Sequence, residues 1–218
     1  MATGTREKIL ESARTLFNER GYVGTKLVDI ADRAGIAEGN LWYHFRSKAD
    51  LVRAIGDHAI ALTAQRIRDQ RANPGPPLED FVRFLLIFER DYWEHRFLMR
   101  DRLQYPGGRA GTTAQPVIQD ELSLIADLVR RIGAAGLCRR NLHFDPDGLA
   151  RSLWMIVRYW GEHLEEQEGV SQVTWNDNRR AVSLAVSVLA PCLTAPARRK
   201  LEALVASASR DQEFEAVG

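Results

Sequence analysis

The stretch of residues 25–48, TKLVDIADRAGIAEGNLWYHFRSK, most constrains what this chain can fold into. Apolar residues recur at helical spacing over 27–34 and predict one short helix there. Gly35 follows, and glycine readily accepts the left-handed backbone conformation that ends a helix. A second short helix is predicted over Glu38–Phe45. Two short helices joined by a tight turn are typical of a helix-turn-helix, in which the second helix enters the DNA major groove.

The rest of the chain also predicts helices, so the expected fold class is all-α. A first helix is expected over residues 5–19, and Ser47 is expected to cap a fourth helix over 48–71. The run NPGPP at residues 73–77 interrupts the helical pattern. Later helices are predicted over residues 78–103, 116–135, 146–168, 174–193 and 197–208.

Composition argues against several other classes of protein. The 218 residues are 45% hydrophobic and 27% charged, with a net charge of +1, as in ordinary globular proteins. No apolar run approaches the roughly 20 residues needed to span a bilayer, and no charged, apolar leader opens the chain, so we expect a cytoplasmic protein.

The residues also lack the motifs of common enzymes and metal sites. Cys138 and Cys192 have no Cys-x-x-Cys partner and are expected to be reduced thiols, so neither a metal nor a cofactor is predicted. Gly-x-Ser-x-Gly, phosphate-loop and His-Glu-x-x-His motifs are missing from the sequence, and no enzymatic activity is expected.

The N-terminal residues resemble a known family. Roughly residues 6–53 are similar to the DNA-binding domain of the TetR/AcrR family of bacterial transcriptional regulators, in a subgroup whose recognition helix reads GNLYYHF. The matching residues are Ile9, Ala13, Phe17, Gly21, Tyr22, Thr25, Asp29, Ile30, Ala31, Ala34, Gly35, Ile36, Gly39, Leu41, Phe45, Ser47, Lys48 and Leu51. The chain departs from the pattern at Ala37, Glu38, Asn40 and Trp42, which leaves its base-reading residues open.

The resemblance implies a helix-turn-helix DNA-binding domain over residues 1–50 and an effector-binding and dimerisation domain over 51–218. It places Gly39, Asn40, Tyr43 and His44 in the groove and Thr25, Lys26, Trp42 and Lys48 against the DNA backbone. Asn40 can pair with adenine or contact a phosphate. The alternative for Trp42 and Phe45 is core packing, which is favoured for Phe45.

Two further clusters belong to the second predicted domain. Aromatic residues are dense over 81–99 and 153–160, and they predict either plain core or an apolar effector pocket that includes Phe84, Phe88, Trp154 and Arg158. Arg158 falls within an apolar stripe and needs a partner, either a protein carboxylate or an anionic ligand.

A stripe with small residues follows in the last long helix, and it predicts either a helix-pair interface or burial within one chain. The proposed interface residues are Ala181, Val182, Ala185, Val188 and Leu189.

Together these features predict a homodimeric regulator of double-stranded operator DNA that responds to a small-molecule effector of unknown identity and has no membrane partner. A repressor released by an apolar or amphipathic ligand is favoured. The alternatives are an activator or a regulator without a ligand and, from a different class, a helical scaffold that does not bind DNA.

Overall fold

A computed structural model describes residues 2–107, 115–140 and 145–215, with side chains over 4–208. Its helices are α1 (Ala2–Gly24), α2 (Leu27–Ala34), α3 (Glu38–His44), α4 (Lys48–Ala72), α5 (Pro77–Glu94), α6 (Phe97–Arg100), α7 (Gln115–Ala134), α8 (Pro146–Glu166), α9 (Trp175–Leu189) and α10 (Ala195–Glu215). Cys138 and Leu193 form an isolated antiparallel bridge, and the described residues contain no strand. The all-α prediction is confirmed, and none of these described helices is long and apolar enough to cross a lipid bilayer.

Local sequence explains the turns of the helix-turn-helix. The backbone at Gly21 leaves the helical region within α1, with φ 77° and ψ 166°, a conformation essentially restricted to glycine. Gly35 ends α2 in the left-handed region, as predicted, with φ 68°. Ser47 caps α4, since its hydroxyl oxygen accepts from the backbone N–H of Asp50 at 3.2 Å.

The predicted helix over 78–103 is wrong as one element, because it breaks between Glu94 and Phe97. Side chains of α1 satisfy the backbone groups at the break. Asn18 donates to the Glu94 carbonyl at 2.8 Å and accepts from the Phe97 N–H at 3.2 Å, and Arg14 also donates to the Glu94 carbonyl. Partners distant in sequence thus replace the helical bonds, which helical spacing alone cannot reveal.

The end of the chain also differs from the prediction. The helix expected over 174–193 ends at Leu189, and a 3-10 helix covers Ala190–Cys192, where Pro191 cannot donate a backbone hydrogen bond. The helix expected over 197–208 begins earlier, at Ala195, because Pro196 lies in the first turn of α10, a position that proline tolerates well.

The chain divides into two compact units. Unit 1 comprises residues 1–65 and 91–117, and unit 2 comprises 66–90 and 118–218. The core of unit 1 includes Ile9, Phe17, Ile30, Leu41, Phe45, Leu51 and Phe97. The core of unit 2 is built from α5, α7, α8, α9 and α10. The contacts do not test the functional division at residue 50, which stays a prediction.

Asp80 organises the turn that precedes α5 in unit 2. Its fully buried carboxylate accepts from the Gly75 N–H at 2.8 Å and from Arg131 at 2.8 Å, and it also pairs with Arg83. Arg131 in addition donates to the Gly75 carbonyl. The carboxylate therefore ties the 73–77 turn to α7.

Candidate DNA-binding surface and effector unit

Helix α3 presents most of the predicted base-reading residues to solvent. Tyr43 is 79% exposed and Trp42 is 41% exposed, while Gly39 and Asn40 are also exposed and His44 is half-buried. On the opposite side Leu41 and Phe45 are buried in the core of unit 1, as expected for Phe45. One face of a short helix therefore anchors it and the other is available to a duplex.

Glu38 and Trp42 interact across one turn of α3. The indole Nε1–H of Trp42 donates to the Glu38 carboxylate at 3.3 Å. Ala37 provides no side-chain cap, and Glu38 supplies the acidic group of the first turn, where the helix dipole favours negative charge. For the indole to reach a phosphate, this hydrogen bond must open.

The residues predicted to face the DNA backbone differ in accessibility. Lys26 is exposed at the start of α2. Thr25 is fully buried, and its hydroxyl donates to the carbonyls of Leu16 and Gly21 at 3.2 and 2.8 Å. This side chain holds the turn between α1 and α2 together, so its hydroxyl already has protein partners.

Lys48 is also engaged within unit 1. Its ammonium donates to the carbonyls of Tyr22 and Thr25 at 2.7 and 2.9 Å and lies 4.5 Å from the Tyr22 ring centroid. Burial lowers the pKa of Lys48. An ammonium has three donors, so one remains for a phosphate oxygen.

Helix α6 is bonded to the end of α1 through Arg100. Its guanidinium donates to the carbonyls of Phe17 and Asn18 at 2.8 and 3.1 Å and pairs with Asp101 at 2.8 Å. The Asp101 carboxylate in turn accepts from the Tyr22 N–H at 2.7 Å. A segment remote in sequence thus forms part of the unit that carries α3.

The four predicted pocket residues lie in unit 2. Phe84 and Phe88 are buried and stacked with ring centroids 5.6 Å apart. Trp154 is buried, and its indole N–H donates to Glu121 at 2.8 Å. Arg158 lies 5.9 Å from the Trp154 ring centroid.

Glu121 is the acid next to Arg158. Burial raises the pKa of the Glu121 carboxyl, and the hydrogen bond from Trp154 and the charge of Arg158 act against that rise. Arg158 acts on this carboxyl by charge, and the choice between a protein carboxylate and an anionic ligand as its partner stays a prediction.

Unit 2 also contains cavities that were not predicted. One of about 430 Å³ lies between α5 and α10, with Val82, Leu86 and Leu204 among its walls. Another of about 200 Å³ is lined by α5, α9 and α10, and Glu89 is one of its walls. Neither is lined by the four predicted pocket residues.

The small-residue stripe of α9 faces its own chain. Ala181, Val182, Ala185 and Leu189 are buried in the core of unit 2, and Val188 is half-buried against it. Of the two alternatives for this stripe, the described structure shows intrachain packing for these residues. Large apolar side chains that α8 and α9 do leave exposed are Met155, Tyr159 and Leu184.

Sequence reasoning missed four buried carboxylates among the described residues: Asp80, Glu89, Asp101 and Glu121. A signal existed for Glu89, which directly follows the apolar run FLLIF in α5. Asp80, Asp101 and Glu121 lie in segments of mixed polarity, where only the fold reveals their burial.

Two family descriptions match most of the chain. "Bacterial regulatory proteins, tetR family" matches residues 9–55, and "Bacterial transcriptional repressor" matches residues 63–201.

Individual proteins agree with these matches. The HTH-type transcriptional regulator RutR of Escherichia coli O157:H7 is 26% identical over 180 residues, which cover 79% of this chain and 81% of RutR. The HTH-type transcriptional regulator TtgR of Pseudomonas putida is 45% identical over 56 residues, covering 26% of this chain and 27% of TtgR. The crystal structure of a TetR-family transcriptional regulator from Marinobacter aquaeolei superposes with a TM-score of 0.74 at 24% identity, over 93% of this chain and 97% of that one.

Proposed function

The chain belongs to the TetR family of bacterial transcriptional regulators and is a DNA-binding regulator, and on that premise we propose that it is a homodimeric repressor released from its operator by a small ligand. The observation that carries the proposal is α3, which exposes Asn40 and Tyr43 while Leu41 and Phe45 fix it in the core of unit 1.

Within this proposal the α3 residues read the operator in the major groove. Asn40 can bond an adenine edge, Tyr43 contacts bases, and Gly39 and His44 lie at the groove surface. Lys26 and the third donor of Lys48 bind phosphates, as does Trp42 once its bond to Glu38 opens. The Thr25 hydroxyl is committed to carbonyls, so Thr25 contributes through its backbone.

Dimerisation is proposed through α8 and α9, with the contact residues revised. Four of the originally proposed residues are already buried in their own subunit, so they position α9 by packing against the core of unit 2. These residues are Ala181, Val182, Ala185 and Leu189. Met155, Tyr159 and Leu184 are proposed to meet the second copy, because exposed apolar side chains are stabilised by burial in an interface. Replacing both Met155 and Leu184 with Glu should yield a folded monomer by sedimentation, whereas a persisting dimer would contradict this placement.

The effector is proposed to bind unit 2 near Phe84, Phe88, Trp154 and Arg158, with Glu121 as a further polar group. Both α4 and α5 contribute residues to unit 1 and to unit 2, so a ligand can act on DNA binding through either helix. It must bind the two conformations with different affinity, and a tenfold loss of operator affinity requires about 1.4 kcal/mol of difference.

The test is selection of bound duplexes from a random pool, followed by titration of an enriched duplex at several salt concentrations. The proposal expects a symmetric consensus bound by a dimer, with affinity that falls steeply as salt rises. Failure to enrich any sequence would favour the scaffold alternative. Transcription with and without protein on the selected site then separates a repressor from an activator.

A further inference from the structure

The carboxyl group of Glu89 on α5 is buried without a hydrogen-bond donor. Its residue is 1% exposed, and neither carboxylate oxygen accepts a hydrogen bond within the described part of the chain. Removing a carboxylate from water is costly unless a partner compensates, so buried polar groups in proteins are almost always bonded. Glu89 therefore needs a partner that the chain does not supply.

Space for such a partner lies beside it. Glu89 lines the cavity of about 200 Å³ between α5, α9 and α10, together with apolar Leu86 and Val205, polar Asn176 and Ser183, and the cationic residues Arg179 and Arg180. This volume is far above the roughly 10–15 Å³ that one water molecule needs. The cavity accommodates a small organic molecule with an apolar part against the aliphatic side chains.

The charged neighbours leave Glu89 without a donor. Arg180 is held by Glu168 through two hydrogen bonds of 2.8 and 2.9 Å. Arg179 acts on Glu89 by charge but donates no hydrogen bond to its oxygens. Burial outweighs that charge and raises the pKa of Glu89 to about 7.

We propose that this cavity binds a small organic cation with N–H donors, an alkylammonium or alkylguanidinium ion, with Glu89 as its counter-ion. A cation offsets the buried charge, and its N–H groups satisfy the carboxylate oxygens. An anion would face Arg179 and Arg180 on the same wall, but it would repel the Glu89 carboxylate and give its oxygens no N–H donor. A divalent metal would require several more oxygen ligands. The site is separate from the aromatic residues proposed for the effector, and its occupancy does not depend on DNA binding.

Calorimetric titration of the full chain, without DNA, tests the proposal. The probes are methylguanidinium and methylammonium, and the control ions are tetramethylammonium, which carries the charge without N–H donors, and acetate. At pH 8 the carboxyl is ionised, and we expect saturable binding of at least one N–H cation. Binding should weaken at least tenfold in Glu89→Gln and be unchanged in Glu166→Gln, which alters an exposed carboxylate on α8.

Measurement at pH 5.5 adds a second criterion. Protonation of Glu89 should weaken binding at least tenfold, whereas the hydrogen bonds from Arg180 lower the pKa of Glu168, which remains ionised. Equal affinity at both pH values, equal affinity in Glu89→Gln, or no saturation at concentrations on the order of 10 mM would each overturn the proposal.

The Glu89→Gln variant also tests whether the buried Glu89 carboxylate lacks a hydrogen-bond donor within the protein. Because it removes an unpaired buried charge, its melting temperature at pH 8 should exceed that of the unchanged chain. A lower melting temperature would show that the carboxylate already has a partner within the protein, and the proposal would fall.

Discussion

The two units provide partners for their buried and half-buried charged side chains in different ways. In unit 1 the cations of Lys48 and Arg100 donate to main-chain carbonyls, where α1 gives way to α2. In unit 2 three buried carboxylates have progressively fewer donors. Asp80 has two arginines and a backbone N–H, Glu121 has Trp154, and Glu89 has none.

This difference separates structural charge from charge available to a ligand. Cations that bond carbonyls fix the turns that position α3, so their removal should act on stability and on DNA binding together. A carboxylate whose oxygens are fully hydrogen-bonded within the protein, such as that of Asp80, stabilises the fold. A buried carboxylate without donors instead gains more from hydrogen bonds to a ligand than from its own chain.

Loss of the Asp80 carboxylate should have the largest effect. Asp80→Ala leaves the half-buried Arg131 and the backbone N–H of Gly75 without their acceptor, and each group left unsatisfied in this way typically costs about 1–3 kcal/mol. The free energy of unfolding from urea denaturation measures the loss.

The matched control is Asp120→Ala. Asp120 is exposed and lies 3.9 Å from Arg71. A pair of this kind contributes about 1 kcal/mol or less. Similar losses of unfolding free energy in the two variants would contradict the distinction between a buried, fully hydrogen-bonded carboxylate and a surface one.

Glu89 should make stability depend on pH in the opposite direction to an ordinary surface carboxylate. Its folded pKa of about 7 exceeds the reference value of 4.5, so the folded state binds the proton more tightly. The stabilisation is complete below pH 4.5 and is lost as pH rises to about 7, a difference of roughly 3 kcal/mol.

Subtracting the pH dependence of the unfolding free energy of Glu89→Gln from that of the unchanged chain isolates the contribution of Glu89. The subtraction also removes the effect of His95, whose pKa burial lowers to about 4. Urea denaturation of both proteins from pH 4.5 to 8 should show the unchanged chain losing stability relative to the variant. Parallel curves would mean that Glu89 titrates as if it were exposed.

Arg100→Ala should have a smaller effect on stability, of about 2 kcal/mol, because it leaves the buried Asp101 carboxylate without its guanidinium partner. Thermal unfolding measures the loss, with the exposed Arg53→Ala as control. If the hydrogen bonds from Arg100 to the carbonyls of α1 also position α3, operator affinity should fall in Arg100→Ala even at temperatures well below the melting temperature of the variant. Unchanged affinity in fully folded protein would confine Arg100 to stability.

Sequence alone gave good predictions where local signals decide. The span of α2 and the turn at Gly35 follow from short-range spacing and glycine conformation, whereas the exposed face of α3 was expected from the family resemblance. The break after Glu94 could not be predicted, because Asn18 and Arg14 are some eighty residues away in sequence. The face of Ala185 was also undetermined, since a small-residue stripe suits an intrachain and an intersubunit contact equally well.

The smallest expected effect concerns Tyr43, which is not part of either network of buried charges. Tyr43→Ala should leave stability within about 0.5 kcal/mol, because the side chain is exposed. It should weaken binding to the selected operator by about 1–3 kcal/mol while hardly changing binding to random DNA.

Lys48→Ala should instead weaken binding to both DNAs alike and flatten the salt dependence of that binding. It should also lower stability, because two carbonyls lose their donor. Fluorescence anisotropy with both duplexes at two salt concentrations measures these differences. Equal losses on both DNAs for Tyr43→Ala would remove it from base recognition, and an unchanged salt dependence for Lys48→Ala would leave that lysine with a purely structural role.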